Sequence, residues 1–335
     1  MLTHMALFAG MGGFIEAAKR SGFETSWANE IEERCWDVLR GNYPHTVVNT
    51  KSISEIVAAD LESLPEIDLL TAGFPCQSFS QAKGEVAGFN DERGQLFFDI
   101  PRVIALMPTP PKVVLLENVP TLKTLDQGAM LSTVINEMRF AGYWVHERNA
   151  QVLNSSEYGA TPQRRERLFI VCVHESHARR NNFEFTKLQK KSAPNLFDVI
   201  DRSADAPPEI YLSKENKYFK MMNALAFSKG KDRLFQIRQV EARAIRENAC
   251  PTLTANMGLG GHNVPFVFDD KGLRRLTVEE CMTLQGFNPE SFLIPKKTKD
   301  NAMLQMIGNA VSVGTVQNII TGLLEQSILA EVNSE

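Results

Sequence analysis

A thiol sits in the middle of Gly73-Phe74-Pro75-Cys76-Gln77-Ser78-Phe79-Ser80, just past the apolar run of residues 67–72. That run reads as a short buried strand closed by Gly73 and Pro75, and residues leaving this edge of a parallel sheet face the ligand crevice. The thiolate is the reactive form of cysteine, so Cys76 can be a nucleophile where its surroundings favour that form. Most free cysteines are small buried hydrophobes instead. Pro75 and the polar Gln77, Ser78 and Ser80 point to a loop facing solvent or substrate.

Other strand ends carry groups of the same kind. Residues 4–9 read as an apolar strand running into Gly10-Met11-Gly12-Gly13 and then a helical pattern, a turn that lets a ligand approach the N–H groups of a helix start. The spacing F-x-G-x-G-G is not the dinucleotide-binding one. A second strand, residues 24–28, ends at Asn29-Glu30, roughly 20 residues after the glycines, where a carboxylate can hold ribose hydroxyls or favour the start of a helix over 31–39. A further strand, residues 112–116, delivers Glu117-Asn118-Val119-Pro120. Four strands thus present Phe8 with Gly10, Glu30, Pro75 with Cys76, and Glu117 at one sheet edge, which chance accounts for poorly. In Gln163-Arg164-Arg165-Glu166-Arg167, ahead of a strand over 168–173, spacing by two puts Gln163, Arg165 and Arg167 on one face.

The elements that must hold these groups alternate between strand and helix. Residues 53–58, 96–106 and 127–141 read as helices, with Pro101 kinking the second or moving its start, and residues 143–152 read as a strand. Residues 77–95 are polar and glycine-studded, too long for a simple connection, and read as a lid. The expected fold class is α/β, a doubly wound mixed sheet with a second, smaller irregular domain. We place the first domain at residues 1–174 and 274–335 and the second at 175–273. The second contains Pro251-Thr252-Leu253-Thr254 ahead of a glycine-rich turn at 258–261. Thr277 and Glu280 have the spacing of a capping box, and helices over 301–307 and 312–324 flank Gly308-Asn309-Ala310-Val311.

The 335-residue chain has five cysteines, scattered and never paired as C-x-x-C, which disfavours a disulfide framework or a structural zinc site. With no charged-then-apolar leader and no apolar run of about 18 residues, neither a secretory signal nor a membrane span is expected, and the expected location is cytoplasmic. The net charge of −4 is unevenly spread: residues 176–275 hold 18 Lys and Arg against 11 Asp and Glu, leaving 18 against 29 elsewhere. That asymmetry marks the later stretch as a candidate nucleic-acid surface.

In this order, Phe8 to Phe14, Asn29-Glu30, Gly73 to Ser80, Glu117-Asn118-Val119, Gln163 to Arg167, Arg274 to Phe287 and Gly308 to Val311 resemble the cytosine-C5 DNA methyltransferases across nearly the whole chain. The resemblance implies a fold of the S-adenosylmethionine-dependent methyltransferase type, with S-adenosylmethionine as cofactor, no metal, and duplex DNA as substrate. It implies that Cys76 adds to C6 of a flipped-out cytosine and that Glu117, its pKa raised in a dry crevice, hydrogen-bonds N3. Arg167 would hold O2, with Arg165 beside it favouring the thiolate and contacting the substrate. Phe8 would stack on the adenine, Gly10 and Gly12 would make room for the methionine part, and Glu30 would hold the ribose. Phe74 and Pro75 would line the cofactor pocket, and Asn309 and Val311 would close its far wall, so the chain must return to the first domain. Gln77, Ser80, Gln163, Thr252 and Leu253 are the positions assigned to substrate and DNA.

Ala6, Ser52-Ile53 and Ile31 depart from the family pattern at an Asp, at a D-I pair near the adenine and at an aromatic after the ribose Glu. These departures bear on cofactor affinity, with Ile31, Ser52 and Ile53 still the matching positions. The alternative, an RNA cytosine-C5 methyltransferase of the same fold, characteristically carries a Cys-Phe-Thr tripeptide that is absent here. A monomer acting alongside a cognate restriction endonuclease is expected.

Overall fold

In the computed structural model, which describes residues 1–75, 95–203, 205–238, 240–246, 248–259 and 263–329, contacts divide the chain into two units. Unit 1 comprises Met1–Leu153, Glu166–Gln189 and Thr315–Glu335, and unit 2 comprises Asn154–Arg165 and Lys190–Gly314. These bounds differ from the expected 1–174 with 274–335 and 175–273. Residues 175–189 go with unit 1, where Asn181 donates to the carbonyls of Trp144 and Val171 and Phe183 is buried. Residues 154–165 and 274–314 go with unit 2. The return of the chain to unit 1 is observed from Thr315 onward.

Unit 1 is built on short apolar runs that can be buried on both faces. β1 (Leu2–Leu7), β2 (Phe23–Asn29), β3 (Val47–Asn49), β4 (Leu69–Gly73) and β5 (Val113–Asn118) are mutually parallel, while β6 (Tyr143–Trp144), β7 (Ala150–Asn154) and β8 (Glu166–His174) complete the sheet. The order is β3-β2-β1-β4-β5-β8-β6, with β7 also pairing β8, and β8 runs antiparallel to β5 and β6. Strand order reverses between β1 and β4, the switch point at which such sheets open a crevice. Because β8 is reversed, its first residues meet the last residues of β5, with Asn118 opposite Leu168.

Local sequence explains the deviations from the expected elements. Residues 53–58 form no α-helix, only short turns at Ile53–Glu55 and Ala58–Asp60. The expected strand over 143–152 is split by a turn at Glu147–Asn149, with Asn149 capping back onto His146. The helix near Pro101 runs Asp99–Leu106, so the proline lies in the first turn, where no partner for its missing N–H is required. Thr277 and Glu280 do form the capping box of helix Val278–Gln285.

Unit 2 holds an antiparallel sheet of order β10-β9-β11-β12, from β9 (Phe235–Arg238), β10 (Glu241–Ala244), β11 (Pro265–Phe268) and β12 (Leu273–Arg275). Helix Lys217–Lys229 supplies Met222 and Ala226 to a small core with Phe235, Phe266, Phe268 and Leu273. Asp300–Glu325 has the length and mean hydropathy (1.2) of a membrane span, but 72% of its apolar window is buried within the protein, and two helices meet there at residues 310–312.

Candidate functional site

The last turns of β4 and β5 bring the first chemistry together. Gly73 pairs with Glu117 across the sheet, and a side chain at Gly73 would meet Phe14 at 3.1 Å and Glu117 Oε2 at 3.3 Å. Glycine here lets the carboxylate lie against the main chain that leads to Cys76. Arg167, the second residue of reversed β8, brings its Nε to 3.1 Å from Glu117 Oε1, with both side chains largely buried. Asn118 follows Glu117 at the end of β5. Its Nδ2 donates to the Phe74 carbonyl (3.2 Å) and its Oδ1 accepts from Val119 N–H (2.8 Å), which fixes the chain just before Pro75. Phe74 is buried with its ring 5.2 Å from Phe97, and Pro75 is half-buried.

A cradle opens at the end of β1. Phe8 adopts φ 55°, an uncommon backbone state for a non-glycine residue and one that clusters at ligand sites. Gly10 follows at φ 57°, with open space where a Cβ would point. Its N–H donates to Glu30 Oε2 at 2.6 Å, and Glu32 N–H donates to Oε1 at 2.8 Å. Burial pushes the Glu30 carboxyl above its ordinary value, against the opposing pull of the N–H donors of Glu32 and Gly10. Each oxygen keeps a lone pair for a hydroxyl donor. A half-buried ring, an open glycine and a carboxylate fit a nucleoside with a tail.

Gly12 has a different reason from the one expected. At φ 97° its Cβ would lie 2.3 Å from the Tyr43 ring, so it makes room for a side chain of unit 1 itself. Ile31 is 59% exposed, Ser52 caps the turn that follows it, and the Ile53 side chain is in the core. Any ligand contact at Ile53 therefore falls to its main chain.

The face expected to be shared by Gln163, Arg165 and Arg167 does not form. Arg165 N–H donates to the Gln163 carbonyl (3.1 Å), so the chain is turned there and not extended, and alternation of sides holds only in extended backbone. Gln163, fully buried, donates to Leu284 O (2.9 Å) and Gln285 Oε1 (2.8 Å) and accepts from Leu253 N–H (3.0 Å). The terminal nitrogens of Arg165 donate to the carbonyls of Leu253, Gly308 and Ala310 at 2.7–3.2 Å, so they brace unit 2 where a substrate contact was expected. Leu253 is fully buried, so its side chain does not offer the DNA contact assigned to it, while the half-buried Thr252 donates to the Arg164 carbonyl. Gly308 is a packing glycine: a Cβ would lie 2.2 Å from the Thr254 carbonyl carbon. Asn309 is exposed and Val311 buried, both in unit 2. Gln285, whose amide also donates to Ala310 O (2.5 Å), is a node that sequence reasoning missed.

Cys76, Gln77, Ser80, nearly all of the 77–95 stretch and Gly260-Gly261 lie outside the described residues. The four described cysteines, Cys35, Cys172, Cys250 and Cys281, are all buried, and burial pushes each thiol upward, away from the reactive thiolate.

A family profile, C-5 cytosine-specific DNA methylase, matches residues 2–325. The chain is 33% identical to the Type II methyltransferase M.Bsp6I of Bacillus sp. (strain RFL6), over 98% of this chain and 100% of that one. It is 38% identical to the Type II methyltransferase M.HhaI of Haemophilus parahaemolyticus, over 95% and 93%. Among solved structures it shares the fold of Dnmt2 methyltransferase from S. pombe (TM-score 0.68, 18% identity, 98% and 99% covered) and of the Entamoeba histolytica methyltransferase EhMeth (TM-score 0.73, 17% identity, 99% of each).

Proposed function

The chain belongs to the C-5 cytosine-specific DNA methylase family and is a DNA cytosine-C5 methyltransferase of the restriction-modification kind; from this premise we propose how its residues divide the work. The observation that carries the assignment is the Glu117–Arg167 pair beside Gly73, three residues before Cys76 in the sequence.

C5 of cytosine is a weak nucleophile in the intact ring. Cys76, as thiolate, adds to C6 of the extruded base, and negative charge builds on the ring. Glu117 meets that charge by a hydrogen bond to N3, and Arg167 holds O2. Asn118 keeps the Phe74 carbonyl, and hence the approach to Cys76, in one place. S-adenosylmethionine, when bound, supplies an electrophilic methyl group. Phe8, Gly10 and Glu30 hold the nucleoside of that donor, by ring contact, open backbone and carboxylate in turn. After C5 has gained its methyl, a base takes the C5 proton and the C6–S bond breaks, returning Cys76.

Cys76→Ala is expected to abolish transfer to duplex DNA while leaving donor binding within about twofold. Wild-type protein should form a covalent adduct with a 5-fluorocytosine duplex at its site, and retained turnover in the variant would remove the nucleophile assignment. The substrate is duplex DNA, since the similar sequences are named as Type II enzymes, and the RNA alternative is not favoured. A monomer in the cytoplasm, working beside an endonuclease of the same site specificity, completes the reading.

A further inference from the structure

Ser52 and Ile53 are expected near the adenine, yet the Ile53 side chain is buried in the core, so at Ile53 the turn Ile53–Glu55 can offer a bound nucleoside only main chain. Main chain positions a ligand only if it is itself held in place. Little of that hold comes from regular structure. The preceding β3 has three residues, and from Thr50 to Asp68 the chain forms only two short helical turns. Side chains have to supply the rest.

Two of them, both in unit 1, do so. On helix Asp99–Leu106 the Arg102 guanidinium donates through Nη1 to the Ile56 carbonyl at 2.8 Å and through Nη2 to the Ile53 carbonyl. Its Nε donates to Asp99 Oδ1 at 2.7 Å, one helical turn earlier. All three nitrogens of the planar fork are thereby committed, which fixes its orientation as a lysine could not. At the start of the segment the buried Asn29 donates through Nδ2 to the carbonyls of Lys51 (2.9 Å) and Asn49 (3.3 Å). Glu30 N–H donates to the same Asn49 carbonyl at 3.0 Å. Residues 49–56 therefore hang between the strand end that carries Glu30 and the helix that carries Arg102. Ile53 and Ile56 lie in one core cluster, with Phe8 packed against it. The Arg102 side chain is 37% exposed, and ion pairs of that kind add little stability; what this one sets is the place of two carbonyls.

We propose that Arg102 is a positioning residue for the methyl donor, acting through the Ile53 and Ile56 carbonyls to hold this turn against the nucleoside bound at Phe8, Gly10 and Glu30. The proposal rests on the donor-binding reading above. The test is calorimetric titration of S-adenosylmethionine into the full-length protein and its Arg102→Ala, Arg102→Lys, Arg139→Ala and Glu30→Gln variants, with thermal melts and methyl-transfer kinetics on unmethylated genomic DNA. Arg139 is the matched control, since its Nε likewise donates to a main-chain carbonyl of unit 1, that of Val145. Arg102→Ala should weaken donor binding and raise the donor KM by about 10- to 100-fold, with kcat at saturating donor within about threefold. Arg102→Lys should fall between, because a compact ammonium does not span two carbonyls as the fork does. Arg139→Ala should lower the melting temperature but leave donor affinity unchanged. If Arg102→Ala binds the donor as wild type does, or if kcat falls while KM holds, the assignment fails; should that variant not fold, Arg102→Lys decides by the same two measures. A loss of donor affinity in Arg139→Ala equal to that in Arg102→Ala would reduce the effect to general stability and also overturn it. Glu30→Gln separates the two readings. If it binds the donor normally while Arg102→Ala does not, the Glu30 cradle falls and the role of Arg102 stands; the opposite pattern removes Arg102 alone.

Discussion

Gly10 and Gly12 look interchangeable as letters, yet the space around them separates their roles. A Cβ at Gly10 meets nothing within 4 Å, whereas one at Gly12 strikes the Tyr43 ring at 2.3 Å. Gly10→Ala is expected to cost only the left-handed backbone strain, about 1–2 kcal/mol, while donor affinity falls at least tenfold as the methyl enters the cradle. Gly12→Ala should lower the melting temperature far more, because overpacking of roughly 1–3 kcal/mol adds to the same strain. Calorimetric titration of S-adenosylmethionine alongside thermal melts checks both. Unchanged affinity in Gly10→Ala would mean that the open space is not the donor's. Glu117 was legible because it ends an apolar run, and the structure sets it beside Arg167. Gln163, Arg165 and Leu253 misled because a turn with an i to i+2 hydrogen bond leaves no mark in residue types, and a buried arginine reads like an exposed one.

Strands β1, β4 and β5 could be read directly, since each is a short apolar run stopped by Gly, Pro or a carboxylate. The strands of unit 2 could not: three or four residues do not establish a period. Within the large sheet, β1 carries one polar surprise. His4 is fully buried between β2 and β4, its Nδ1 2.8 Å from Thr25 Oγ1 and its Nε2 2.9 Å from Thr71 Oγ1. Burial lowers its pKa from 6.5 to about 3. The folded state therefore keeps the ring neutral while the unfolded chain protonates it below pH 6.5, so this contribution is complete above that pH and is lost progressively as pH falls toward 3. The loss is on the order of 2 kcal/mol by pH 5. Urea midpoints at pH 7.5 and 5 should show a shallower acid dependence in His4→Gln than in wild type, and equal slopes would assign the acid sensitivity to other groups.

Unit 1 is assembled from three stretches of chain and unit 2 from two. A deletion of residues 179–263, which lie within the expected second domain of 175–273, is expected to abolish cooperative unfolding. It removes Asn181 and Phe183 from unit 1 and takes from Arg165 its Leu253 carbonyl. Far-UV circular dichroism melts test this, and an intact transition in the truncated protein would show that unit 1 does not need those residues.

The third stretch of unit 1 has a further effect. Val316, Ile319, Ile320 and Leu323 are fully buried, Asn318 donates to the Gln189 carbonyl, and His177 bonds the Ile328 carbonyl. On the ribosome, these residues leave the exit tunnel only after all of unit 2 has been made. A nascent chain stalled before Thr315 would leave Phe183 and Leu188, which lie against Gly322, without that cover and open to chaperones or proteases. Methyl transfer by newly made enzyme would then have to wait until residues 315–329 have been synthesised and have taken their buried places.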